Sequence, residues 1–61
     1  MSNMNIKRMA QDITPGTILS DGAVVEYVSI YDTGNLVRID FVDDEPAYFP
    51  LFYYLTVQEN N

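Results

Sequence analysis

Leu36-Val37-Arg38-Ile39-Asp40-Phe41-Val42 decides the fold of this chain. Val37, Ile39 and Phe41 recur at every second position, with Arg38 and Asp40 between them. A strand with one face on a core and the other toward water has this period. Just upstream stands Asp32-Thr33-Gly34-Asn35, a four-residue connection with glycine where a positive φ is wanted. The stretch therefore reads as the second strand of a hairpin. The first strand runs from Ala23 to Tyr31, rich in the β-branched and aromatic residues that strands favour. Its alternation slips: Val25 and Tyr27 fit one face, Val28 and Ile30 the other. A bulge near Glu26 to Val28 would turn Val25, Val28 and Ile30 to the same side.

Working outward, Asp43-Asp44-Glu45-Pro46 is an acidic turn, after which Ala47 to Phe49 returns as a strand. Pro50 cannot donate to a ladder and places that position at an edge or a strand end. Leu51 to Val57 holds room for one 3₁₀ turn and a last short strand around Leu55-Thr56-Val57. In the other direction, Ile13-Thr14-Pro15-Gly16 carries the proline and glycine of a type II turn. Thr17-Ile18-Leu19 follows as a short strand, ended by Ser20-Asp21-Gly22. Residues 1–12 are polar and Asn-rich, with Ile6 and Met9 three apart, too brief for a helix without tertiary support. They are expected to be a flexible segment or to close one end of the domain, and residues 58–61 to fray. The expected fold is all-β: a small barrel or strongly bent antiparallel sheet of four to five short strands over residues 13–57.

With 61 residues, the chain is near the lower limit for independent folding. It contains no cysteine and no histidine, so neither a disulfide nor a thiolate or imidazole metal site can brace it. The formal net charge is −6, and from Met9 onward Arg38 is the single base against nine acids. Such a field repels phosphate backbones and attracts basic partners. No apolar run follows Lys7-Arg8, so neither a signal peptide nor a membrane span is expected, and the cytoplasm is the default location.

The run from Thr14 to Gly22 (Thr-Pro-Gly-Thr-Ile-Leu-Ser-Asp-Gly), the long hairpin after it, the turn at Asp43-Asp44 and a final short strand together resemble SH3-like barrels. The likeness is to the compact barrels among uncharacterised bacterial and phage open reading frames and covers residues 14–57. It is a pattern of turns and strands without a functional motif, so what it implies is fold. The A-L-Y-D-Y start of eukaryotic SH3 domains is missing.

Function has few candidate residues. Asp40, Asp43, Asp44 and Glu45 lie close in sequence, but they lack the spacing and distal glutamate of a calcium loop, and a solvated turn is the preferred reading. The serines Ser2, Ser20 and Ser29 have no base partner, which leaves nucleophilic catalysis without its players. Paired-carboxylate chemistry would need a cleft that a chain of this size has little room to form. The aromatics carry more information. Five fall within seven positions, Tyr48, Phe49, Phe52, Tyr53 and Tyr54, directly after the acidic turn. Phe41, Phe49 and Phe52 are assigned to the core with Val25, Val37, Ile39 and Leu55. The tyrosines tolerate the boundary with water, and Tyr53 and Tyr54, being consecutive, cannot both point inward on an extended chain.

The expected contact surface comprises Tyr27, Tyr31, Tyr48, Tyr53 and Tyr54 with Asp43, Asp44 and Glu45. SH3-type grooves, which the chain resembles, set tyrosines beside carboxylates in this way for proline-rich ligands carrying a base. The expected function is a non-enzymatic protein-binding module, on a basic partner or on itself as a homodimer, with no cofactor, metal, direct nucleic-acid or membrane role. The alternative is a phage-type inhibitor whose acids imitate DNA toward a host nucleic-acid-binding enzyme. A carboxylate-based metal-dependent enzyme ranks third.

Overall fold

A computed structural model describes residues 3–60, and the regular structure there is strand and 3₁₀ turn. The strands are β1 (Asn3–Met9), β2 (Ile18–Leu19), β3 (Val25–Tyr31), β4 (Leu36–Phe41), β5 (Ala47–Pro50) and β6 (Tyr54–Asn60). They form two three-stranded antiparallel sheets, ordered β1-β6-β2 and β3-β4-β5, and these are not closed into a barrel. The sheets meet where β2 runs into β3. Ile18 bridges Val24, Leu19 N–H donates to the Ala23 carbonyl (2.8 Å), and Val25 N–H donates to the Thr17 carbonyl (2.8 Å).

The alternation in Leu36 to Phe41 places the core. Val37 and Ile39 are fully buried, and with Val25, Val57, Ile13 and Ala10 they form its centre. Ile6, Leu19, Val28, Phe41, Phe49, Leu51 and Leu55 pack around it from both sheets. The 3₁₀ turn Ala10–Asp12 carries Ala10 into this centre and is tied to the β5–β6 connection. Ala10 N–H donates to the Tyr53 carbonyl at 2.7 Å, and Gln11 N–H to the Leu51 carbonyl at 3.2 Å. A core of six small or β-branched residues is thin, and each member matters accordingly.

The local signals hold well. The register of β3 against β4 shifts between Val25 and Tyr27, which leaves Glu26 as the bulged residue. Val25 and Val28 then face inward together. Gly16 sits at φ +94° and Thr17 N–H donates to the Thr14 carbonyl (3.2 Å), as the type II turn requires.

Other expectations are corrected. The N-terminal segment, expected to be flexible or to close one end of the domain, forms over Asn3–Met9 the strand β1 paired along β6, and β6 continues to Asn60 where fraying was expected. For Met1, Ser2 and Asn61 those expectations lie outside the described residues. Met4 and Ile6 do alternate with polar residues, so a period of two was present. Its weakness is that β1 finds its partner only across nearly the whole chain, through Ile6 opposite Val57. Phe52, assigned to the core, is 69% exposed on the turn after β5. Ile30 lies on the core side of β3 but half of it is uncovered, because the hairpin runs past the core at that end. Asn35 at φ 52°, rather than Gly34, takes the left-handed position after the 3₁₀ turn Asp32–Gly34. Asparagine tolerates that conformation better than most side chains.

Candidate functional site

The β3-β4-β5 sheet has a second face, opposite Val37 and Ile39. Directly paired residues in an antiparallel ladder point to the same side. The pairs Tyr27↔Asp40, Ser29↔Arg38 and Tyr31↔Leu36 across β3 and β4, and Arg38↔Tyr48 and Leu36↔Pro50 across β4 and β5, therefore share this outer face. The bulge at Glu26 is what sets Tyr27 and Tyr31 here. Without it, Tyr27 would fall in line with Val25 on the core side. Tyr27, Tyr31 and Tyr48 are 63%, 43% and 55% exposed, an open aromatic surface on a paired, rigid scaffold.

Arg38 lies at the middle of this face. Its Nε and Nη2 both donate to Asp40 Oδ1, at 3.1 Å and 2.9 Å, and its guanidinium carbon stands 5.9 Å from the centre of the Tyr48 ring. Donation to the Asp40 carboxylate and the negative charge of that group raise the Arg38 pKa above its ordinary value, with Tyr48 and Tyr31 acting in the same direction. The pair is partly open to water, and its use is to hold Arg38 against the Tyr48 ring rather than to stabilise the fold. Neutralised by Asp40, Arg38 leaves the face little charge of its own. In the sequence Arg38 stands out only as the exposed partner of a core alternation. Its spacing of two from Asp40 on one strand face is the signal that could have found the pair.

The acidic turn joins β4 to β5 at the end of this sheet where Tyr27 and Asp40 lie. Asp43, Asp44 and Glu45 are all exposed. Asp43 takes φ 62°, and Asp44 Oδ1 accepts a hydrogen bond from Glu45 N–H at 2.8 Å, which fixes the turn. Among the described residues no group of three or more acids is placed to hold a metal ion.

The expected tyrosine surface is thus divided. Tyr27, Tyr31 and Tyr48 come together, with Asp43, Asp44 and Glu45 at one end. Tyr53 and Tyr54 do not join them. Tyr54 opens β6 and pairs with Met9 on the other sheet, while Tyr53 stacks on the core-side Phe49 ring at 5.5 Å between centres. Both are about half exposed, so each of the consecutive tyrosines keeps a ring face in water.

No family model, curated protein or solved structure matches this chain.

Among the described residues no helix is long and apolar enough to cross a membrane.

Proposed function

We propose that this chain is a non-enzymatic protein-binding module whose contact surface is the outer face of β3-β4-β5. Tyr27, Tyr31 and Tyr48 are the anchors and Asp43, Asp44 and Glu45 steer a basic partner onto them. The observation that carries the reading is the convergence of three exposed tyrosines on one sheet face. Sequence separation would not bring them together; the bulge and the ladder register do. Large rigid aromatic side chains are the usual centres of binding energy, and a monomeric surface rarely leaves a group of them uncovered without use. A basic partner is favoured over a second copy at this face, because self-association would bring together two molecules of net charge −6.

The SH3-like likeness belongs to this proposal in its finer form. Its supports are the two small antiparallel sheets, the bridge from Ile18 to Val24 that joins them, and the turn-tied segment between β5 and β6.

The test is an NMR titration with basic peptides selected on the immobilised domain. Binding is expected to move the Tyr27, Ser29, Tyr31, Arg38 and Tyr48 signals most. Tyr27→Ser with Tyr48→Ser should weaken it by at least ~30-fold, as loss of about 2 kcal/mol at a hot spot requires. Shifts confined to the Phe52–Tyr54 turn, with affinity unchanged in the double variant, would refute the assignment.

A further inference from the structure

We infer that β1 is a self-pairing edge, along which a second copy of this chain adds in an antiparallel arrangement to build a continuous six-stranded sheet. This surface is separate from the tyrosine face and lies on the other sheet.

The hydrogen bonds of β1 are used on one side only. Ala10 N–H donates to Tyr53 C=O, which makes Met9 and Tyr54 a non-hydrogen-bonded pair. In an antiparallel ladder the two kinds of pair alternate. The backbone groups of Arg8, Ile6 and Met4 therefore point at β6, and those of Lys7 and Asn5 point away from it. Among the described residues β1 pairs with β6 alone, so these outward groups form an open strand edge. Such an edge is a template for another strand unless it is short, bulged, interrupted by proline or guarded by charge. β1 is seven residues long with neither bulge nor proline, and its two charges, Lys7 and Arg8, admit only a register that sets each opposite an uncharged residue.

The identity of the occupant follows from the residues. β1 spans Asn3–Met9, so its midpoint is Ile6, and a two-fold axis through Ile6 is the one antiparallel register that overlaps the whole strand. Asn5 and Lys7 of one copy then exchange backbone hydrogen bonds with Lys7 and Asn5 of the other. Ile6 meets Ile6 of the second copy. Since Leu19 pairs with Val57 and Val57 with Ile6, one apolar row runs from Leu19 through both copies to the second Leu19. Ile6 is packed on the core but only half-buried, and this contact would cover its remaining surface.

Charge selects the same register. A dyad at Lys7 would set like charges directly opposite, which is unfavourable. The dyad at Ile6 sets Lys7 against Asn5 and Arg8 against Met4, with Arg8 already paired to Glu59 of its own chain (3.5 Å). In a molecule of net charge −6, β1 holds two of the three bases, so it is the stretch along which two copies approach with least repulsion. A self-complementary patch of this kind closes at a dimer.

Sedimentation equilibrium of the full chain tests the inference, with Lys7→Pro as the variant. Proline is tolerated on an edge strand when its N–H would face solvent, so the monomer keeps its fold, while the outward donor is lost and the approach blocked. The wild type should move from 7.0 kDa toward twice that mass with concentration, and Lys7→Pro should stay at 7.0 kDa with an unchanged circular dichroism spectrum. Tyr27→Ser with Tyr48→Ser should dimerise like the wild type, which keeps this result independent of the proposed function. Added salt should strengthen the dimer by screening two acidic copies, the opposite of its effect on a basic partner at the tyrosine face. If Lys7→Pro does not fold, amide exchange in the wild type decides. The Asn5 and Lys7 amides should slow about tenfold once about nine-tenths of the protein is dimeric. A wild-type monomer at millimolar concentration overturns the inference. So does a dimer that persists in folded Lys7→Pro, or Asn5 and Lys7 amides whose exchange ignores concentration.

Discussion

Replacing Ile39 by alanine removes the side chain on which both sheets converge. Ile39 sits on the central strand β4 between Val28 and Ala47, is fully buried, and shares the core with Val25, Val37, Val57, Ile13 and Ala10. Loss of a buried isoleucine to alanine costs about 2–5 kcal/mol, the upper end where the site cannot collapse. Here Ile39 is held by ladders on both sides, so the backbone cannot close the gap, and about 3–4 kcal/mol is expected by the same reasoning. At roughly 0.05–0.15 kcal/mol per residue, a domain of this length holds only about 3–9 kcal/mol in all. Ile39→Ala should thus lose about a third to all of the domain's stability. Ile39→Val, about 0.5–1.5 kcal/mol, should remain folded. A drop of about 4–8 °C in melting temperature per kcal/mol separates the two. Urea unfolding followed by far-ultraviolet circular dichroism measures the series. Phe52→Ala is the control: at 69% exposure on the outer turn it should change stability by no more than about 0.5 kcal/mol. A stable Ile39→Ala together with a strongly destabilised Phe52→Ala would refute this placement of the core.

Phe41→Ala should also destabilise the domain, toward the lower end of the roughly 3–5 kcal/mol typical of buried phenylalanine, because its ring packs on the core without being fully enclosed; the same urea series checks it. Gly16→Ala should cost about 1–2 kcal/mol even though open space surrounds the new methyl group, because φ is +94° there; equal loss for Gly34→Ala, whose φ is not in the positive region, would show that strain is not the cause. Asp43→Asn with Asp44→Asn should leave the melting temperature within a few degrees of wild type and slow association with a selected basic peptide, with the difference vanishing at ~1 M salt where the Debye length is about 3 Å; stopped-flow rates that do not depend on salt would remove the steering role. Arg38→Lys should keep the fold but lose the fork to Asp40 and the guanidinium's position over Tyr48, which a change in the Tyr48 ring signals by NMR would report.

Features that depend on a few neighbouring residues were legible in the chain. The alternation of Val37, Ile39 and Phe41 placed the core strand, Pro15-Gly16 placed a turn, and the slip at Glu26 placed a bulge, since each is set by sterics and burial over three to seven residues. The outward disposition of Tyr27, Tyr31 and Tyr48 was likewise readable strand by strand. Their meeting on one face was not, because it depends on the register in which β3, β4 and β5 pair. The same limit explains β1. Its short polar sequence becomes a strand because Ile6 finds Val57 about fifty residues away, a contact whose loop-closure cost and packing gain are properties of the whole chain. Phe52 shows the limit most plainly. Its side chain is as apolar as those taken into the core, but it stands on the turn after Pro50, which must carry the chain from one sheet to the other. The small interior enclosed by Val25, Val37, Ile39 and Val57 has no room for it. Composition and local pattern thus determined an all-β, acidic, aromatic-rich domain, while the tertiary pairing decided which aromatics are surface, because burial is a competition for limited volume that no residue settles alone.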